Sequence, residues 1–143
     1  TVPSVGYCVW ECRSKLKPQY SELSGNEIRD LRYSGEEVSE EIRTPLLGYV
    51  GDSTSRGLDE NPVFYETKIL ITEMTFVAPN HSKDKIRKHG HMHLSDYVER
   101  QDRFKNECII AAHFSTRYHE KQIRRTVEKL LPGLLENRLH LWL

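Results

Sequence analysis

With 143 residues, 37% hydrophobic and 29% charged, the chain has room for one domain and one hydrophobic core, and it is neither collagen-like, low-complexity nor strongly disordered in composition. Its 21 Lys and Arg balance its 21 Asp and Glu, so no whole-chain basic field draws it to nucleic acid or anionic lipid, and any polyanion site must be local. The longest apolar run, around Cys108–Ala112, falls far short of the about 20 residues that span a bilayer, which excludes a transmembrane helix.

The N-terminus has no initiator Met, no charged n-region and no apolar h-region, so nothing supports secretion, and the expectation is that further sequence precedes Thr1 in the natural context. The three cysteines, Cys8, Cys12 and Cys108, are odd in number and too sparse for a disulfide framework, which points to a reducing compartment with free thiols; Cys8 and Cys12 suggest half a metal site, but no second pair follows and ordinary structural thiols are the plainer reading.

Val5 to Trp10, rich in β-branched and aromatic residues, reads as a strand. Residues 12–41 read as a short protruding arm with one helix from Asn26 to Leu31, Asn26 being its N-cap. Leu46 to Gly51 is a buried strand running into Gly51-Asp52-Ser53-Thr54, and Lys68 to Thr72 a second one ending at Glu73. Asn80 to Gly90 is a basic loop or weak helix, followed by a helix from Leu94 to Phe104 with Ser95 as its cap. Cys108 to Ala112 is a third buried strand, ending at His113. Glu120 to Leu131 is a helix stopped by Pro132-Gly133, and Arg138 to Leu143 a last strand. Strands alternating with helices argue α/β layering without internal repeats.

Three strands thus stop at residues able to do chemistry: Asp52, Glu73 and His113. Reactive groups of layered α/β folds sit where strand ends open into loops. Asp52 on a Gly turn suits a metal ligand, though an Asp after a Gly is more often a turn residue. His113 precedes Ser115 and Arg117, an imidazole beside a hydroxyl and a guanidinium suited to phosphate; a core His with a surface Arg is the plainer alternative. His91 and His93 form an HxH pair near His81 and His89, with Lys83, Lys85, Arg87 and Lys88 alongside, a metal spacing that a solvated loop also produces. No Gly-rich phosphate loop or GxSxG elbow is present. What the residues support is a metal-assisted hydrolase built from Asp and His, short of the ligands for a complete two-metal site.

Taken in order, Val2-Pro3-Ser4-Val5-Gly6-Tyr7, the arm Lys15-Leu16-Lys17-Pro18-Gln19-Tyr20 with Leu23-Ser24-Gly25-Asn26-Glu27-Ile28, Tyr49-Val50-Gly51-Asp52-Ser53-Thr54, Ile71-Thr72-Glu73-Met74-Thr75-Phe76, Gly90-His91-Met92-His93 and His113-Phe114-Ser115-Thr116-Arg117-Tyr118 resemble the C-terminal half of ribonuclease Z, the short-form tRNA 3′-processing endonuclease family of the metallo-β-lactamase superfamily. The resemblance covers essentially the whole chain. It implies an α/β fold: the C-terminal half of a metallo-β-lactamase-type αββα sandwich, spanning residues 1–143, with a substrate-binding arm at about 12–41. It implies that Asp52 and His113 are metal ligands, Asp52 bridging a zinc pair (Zn2+, with Mn2+ as the alternative), and that Glu73 and His91 assist protonation of the leaving oxygen. Ser115 and Arg117 would lie near the substrate phosphates, and Lys15 and Lys17 on the arm would meet tRNA.

The implied function is a zinc-dependent endoribonuclease removing 3′ trailers from precursor tRNA in the complete protein, with this chain alone inactive. The implied assembly is a homodimer in the cytoplasm or another intracellular compartment, without membrane attachment. The superfamily's HxHxDH signature is absent, and the arm has Gly25-Asn26 where the family often carries Gly-Pro. Two alternatives stand beside this reading: a hydrolase of small phosphodiesters or esters, and a degenerate, non-catalytic RNA-binding half. Half a sandwich would expose one sheet face, so the isolated chain is expected to be marginally stable or prone to aggregate.

Overall fold

The computed structural model describes residues 3–79, 86 and 88–143. His81, Lys83, Lys85 and Arg87, with most of the expected 80–90 loop, lie outside the described residues. The chain falls into two compact units, Thr1–Val9 with Pro45–Leu143, and Trp10–Thr44. Strands β1 (Tyr7–Leu16) and β2 (Ser39–Tyr49) each have residues in both.

In the smaller unit, the β1 and β2 segments accompany a 3-10 turn at Pro18–Tyr20 and helix α1 (Gly25–Tyr33). The cap of α1 is Ser24, two residues ahead of the expected Asn26. Ser24 and Glu27 stand at the spacing that lets each satisfy the other: the Ser24 hydroxyl accepts from the Glu27 N–H, and the Glu27 carboxylate accepts from the Ser24 N–H at 2.8 Å. These Ser24 bonds hold the Glu27 carboxyl below its ordinary range. Tyr20 donates to Glu36 at 2.6 Å, and the Arg43 guanidinium lies 5.0 Å from the Trp10 ring centroid. Both strands extend further through this unit than their apolar residues suggest. They are exposed on both faces there, so burial imposes no alternation.

The larger unit carries helix α2 (Ser55–Glu60), β3 (Ile69–Glu73), α3 (Leu94–Val98), β4 (Cys108–Ala112), α4 (Glu120–Leu130), α5 (Pro132–Asn137) and β5 (Leu139–Leu141). The sheet runs in the order β1-β2-β3-β4-β5. The pairs β2–β3, β3–β4 and β4–β5 are parallel, with Tyr49 opposite Ile71, Ile71 opposite Ile110 and Ile110 opposite His140. Parallel neighbours need crossovers, which α3 supplies between β3 and β4, and α4 with α5 between β4 and β5.

Alternation places Leu70, Ile109, Ala111 and Leu139 on one face, buried with Leu58, Tyr97, Ile123, Val127 and Leu131 in a single core. The opposite face presents Tyr49, Ile69, Ile71 and Ile110, of which Tyr49 and Ile69 are 43% and 38% exposed. One sheet face is therefore packed and the other is partly open, as expected. Buried Asn106 ties the segments ahead of β3 and β4 together, its amide donating to Phe64 O at 2.9 Å and Thr67 O at 2.6 Å.

Two expected features differ in detail, and two elements were not expected. The Leu94–Phe104 helix breaks after Val98 and is capped by His93, not Ser95: His93 Nδ1 accepts from the Ser95 N–H at 3.0 Å. Pro132-Gly133 ends α4 but also starts α5, since Pro at a first helical position costs no bond that the helix needs. Helix α2 and the 3-10 turn at Pro62–Tyr65 have no counterpart in the sequence reading. Among the described residues no helix is long and apolar enough to cross a membrane.

Candidate active site

The ends of β2, β3 and β4 lie side by side because the strands are parallel and in register, with Glu73 opposite Ala112. Each site residue leaves its strand in a distinct way. Gly51 turns the chain at φ 69°, and a Cβ there would sit 2.9 Å from Ser4 Oγ and 3.0 Å from Val5 O, so only Gly delivers Asp52 at this angle. Glu73 is the last residue of β3. His113 follows β4 with φ 58°, a left-handed conformation uncommon for a residue with a side chain and held here by its surroundings.

Glu73 is 2% exposed, and both of its oxygens are occupied. Oε1 accepts from the Ser53 N–H at 2.9 Å; Oε2 accepts from the Met92 N–H at 3.1 Å and from the Thr75 hydroxyl. Nδ1 of His91 is 3.1 Å from Oε1 and 3.2 Å from Oε2. With the carboxylate accepting, that nitrogen carries the proton, so Nε2 of His91 is left for chemistry. Tyr97, wholly buried, donates to the carbonyl of Glu73 at 2.7 Å, and burial raises its phenol above the ordinary range.

Thr75 joins the two imidazoles. Its hydroxyl gives its proton to Glu73 and stands 3.3 Å from His91 Nδ1 and 3.1 Å from His113 Nδ1. As an acceptor toward His113, it places a proton on Nδ1 and leaves Nε2 with its lone pair. Asp52 Oδ1 lies 3.5 Å from the same His113 Nδ1, and the two imidazole rings are 5.3 Å apart.

Among the described residues, Glu73, His91 and His113 are the group whose donor atoms come within 4.8 Å of one another. Saturation of Glu73 leaves the half-exposed Asp52 and His113, with His91 Nε2, as the open donors. Carboxylate oxygen and imidazole nitrogen are the donor types zinc accepts, so the residues present fit a metal ion. A cleft of about 730 Å³ opens beside them, lined by Ser4, Tyr49, Asp52, Lys88, His89 and His91.

Four residues expected at the site, Asp52, Glu73, His91 and His113, are thus brought together. Ser115 stands next to them through its N–H, which donates to Thr75 O at 2.9 Å; Arg117 is exposed on the same loop. Lys15 is exposed in the smaller unit, and Lys17 is half-buried there, its N–H donating to Val38 O at 2.9 Å. His93 takes no part: its Nε2 donates to Ala78 O at 2.9 Å while its Nδ1 caps α3. Thr75 and the Ser53 and Met92 amides went unassigned in the sequence, although Thr75 stands within a quoted motif.

No family model matches the chain. It is 38% identical over 135 residues to tRNase Z TRZ1 of Arabidopsis thaliana, covering 93% of this chain and 48% of that protein. It is 35% identical over 131 residues to the chloroplastic tRNase Z TRZ2 of the same plant, covering 90% of this chain and 37% of the relative. Among solved structures it superposes on the metallo-β-lactamase fold protein YhfI from Bacillus subtilis with TM-score 0.50 at 15% identity, over 73% of this chain and 42% of that one. The chain carries part of a metallo-β-lactamase fold. Its sequence is similar to part of tRNase Z, and it spans about half or less of each tRNase Z it matches. In this partial metallo-β-lactamase fold, the Asp52, Glu73, His91 and His113 cluster stands at the ends of three parallel strands.

Proposed function

We propose that the chain forms part of a zinc-dependent endoribonuclease that removes 3′ trailers from precursor tRNA. The observation that carries this is the Glu73–His91 pair, a buried carboxylate holding an imidazole beside two open metal donors. Similarity to the two tRNases Z supports the choice of tRNA as substrate.

A bound metal pair supplies a strong nucleophile at neutral pH and stabilises charge during displacement at phosphorus. Asp52 and His113 would hold it from this chain, the latter through Nε2. In its imidazolium form His91 delivers the Nε2 proton to the leaving oxygen, and Glu73, accepting from Nδ1, orients the ring and stabilises its positive charge. The Arg117 guanidinium, on the loop anchored at Ser115, matches a phosphate bidentately. Lys15 and Lys17 meet the tRNA backbone from the smaller unit, whose eight acidic and six basic side chains make those two lysines local cation sites in a net-acidic segment.

Zinc is favoured over manganese by the imidazole donors. Homodimerisation and an intracellular, cytoplasmic setting complete the reading and rest on the resemblance. The test is cleavage by the complete protein carrying this chain: a precursor tRNA cut at the mature 3′ end, far faster than a chromogenic phosphodiester, supports it, and the reverse preference identifies a small-phosphodiester hydrolase.

A second reading, a non-catalytic RNA-binding half, is favoured by the count of metal donors assigned to this chain, Asp52 and His113 alone for two metal ions. Zinc uptake below one equivalent by the chain, with RNA binding retained, would support it.

A further inference from the structure

Besides the cleft over the metal donors, the larger unit carries a groove of about 1020 Å³ between α4 and the segment leading into α3, and nothing in the proposed chemistry uses it. Val77, Pro79, Val98 and Leu130 give it an apolar floor. Lys121, Arg125 and Lys129, four residues apart along α4, form its rim, with Gln122 and Thr126 between them. Successive cations at that spacing stand about 6 Å apart along the helix axis. None of the three forms an ion pair with a carboxylate among the described residues, whereas the neighbouring Arg124 is held by Glu120 at 2.8 Å. One acidic side chain, Glu99, lines the groove, and it lies 3.5 Å from Arg100.

Along the chain the groove's lining adjoins the site. Val77 and His93, which line it, are two residues beyond Thr75 and His91 on the paired segments that carry them, Phe76 being bridged to His93. Along the sequence, Ser115, bonded to Thr75, is followed by exposed Arg117 and then by Lys121 at the start of α4.

We propose that this groove binds single-stranded RNA, and specifically the trailer on the leaving side of the scissile phosphate; the trailer assignment rests on the nuclease reading above. Arg117, Lys121, Arg125 and Lys129 would track successive phosphates, the apolar floor would take base faces, and the amide of Gln122 and hydroxyl of Thr126 would reach ribose hydroxyls. The pattern of unpaired cations over an apolar floor fits a flexible polyanion with exposed bases. The neutral whole-chain charge is no obstacle, because the positive charge is concentrated on one helix face.

The test uses the full chain and a fluorescein-labelled octauridylate, read by anisotropy across a salt series. Lys121→Glu/Arg125→Glu/Lys129→Glu is compared with Arg56→Glu/Lys68→Glu/Lys105→Glu, which changes the net charge equally at exposed residues outside the groove and α4. The groove variant should bind at least tenfold more weakly and lose about 2 from the log–log salt slope, roughly 0.7 for each phosphate contact; the control should stay within about threefold. Lys121→Gln/Arg125→Gln/Lys129→Gln gives a second reading with unchanged circular dichroism. Equal losses in groove and control variants, or no loss in either, would overturn the proposal, as would groove-dependent binding of a labelled poly-glutamate peptide tighter than that of RNA. In the complete protein, the groove variant should raise KM for a precursor with a long trailer and leave one with a single-nucleotide trailer unchanged. If the complete protein cuts no precursor, the nuclease reading fails while the oligonucleotide result still decides the groove.

Discussion

The Thr75 hydroxyl lies 3.1 Å from Nδ1 of His113 while giving its own proton to Glu73, so one side chain sets the tautomer of an exposed imidazole and satisfies a buried carboxylate. Thr75→Val keeps the shape and removes both functions. It should lower zinc affinity about 10–100-fold, as loss of a partner behind a ligand typically does, and destabilise the fold by about 1–3 kcal/mol through loss of one hydrogen bond to the buried Glu73 carboxylate, whose Oε2 keeps the Met92 N–H. Thr75→Ser should restore both. Zinc titration and thermal melts of the three proteins check this, and unchanged zinc affinity in the valine variant would contradict it.

His91 and Asp52 separate chemistry from metal retention. In the complete protein His91→Ala should reduce turnover about 10²–10⁴-fold with metal content nearly intact, the usual contribution of a positioned proton donor. Asp52→Ala should deplete the metal along with activity. Parallel rate and metal analysis distinguishes them; equal loss of metal in both variants would remove His91 from the proton-transfer role.

Gly51→Ala tests whether Asp52 depends on the turn that presents it. An added methyl meets Ser4 Oγ at 2.9 Å and Val5 O at 3.0 Å, in a conformation that costs a side chain about 1–2 kcal/mol. Metal affinity should fall although every donor atom is still present. A zinc titration indistinguishable from that of the unaltered chain would show that Asp52 reaches its place by another route.

Far from the donors, Asp59 gathers three partners: Arg100 at 2.7 Å, the Tyr65 hydroxyl at 2.9 Å, and Arg103. The hydrogen bond from Arg100 is the main cause holding its carboxyl at about 2, against burial, which acts in the opposite direction. Burial first, then Asp59, pushes the Tyr65 phenol to about 12. Because the folded value of Asp59 is depressed, its stabilisation is complete above about pH 4 and is lost as pH falls through about 2. Asp59→Ala should lower stability by about 1–3 kcal/mol at neutral pH and flatten that acid limb of the pH–Tm curve, as melts from pH 2 to 7 would show.

Strand ends were the legible part of the site. Asp52, Glu73 and His113 each follow an apolar run, and parallel strands bring such positions together whatever the loops do. His91 and His93 were not separable, because an HxH pair looks the same whether its second member caps a helix or faces a cleft; only the Ala78 carbonyl and Ser95 amide settle that His93 is a cap. Thr75 escaped notice since a lone hydroxyl has no spacing signature. Most of β1 and β2 beyond their apolar cores was illegible for a different reason: strands exposed on both faces carry no alternation for burial to impose. The cap of α1 is written in the sequence as the Ser24–Glu27 reciprocity, which outweighs the single preference of Asn26.

The alignment of three strand ends makes the cluster a gauge of pairing accuracy. A slip of one residue in β3 would move Glu73 by about 3.3 Å and turn its carboxylate to the opposite side of the sheet, where Leu70 and Thr72 are now buried. Asp52 and His113, carried by β2 and β4, would remain where they are and lose the group that organises them. Misregistered chains could therefore keep their helices and much of their apolar burial yet be chemically blank, so metal uptake would report correct assembly more sharply than any bulk spectroscopic signal.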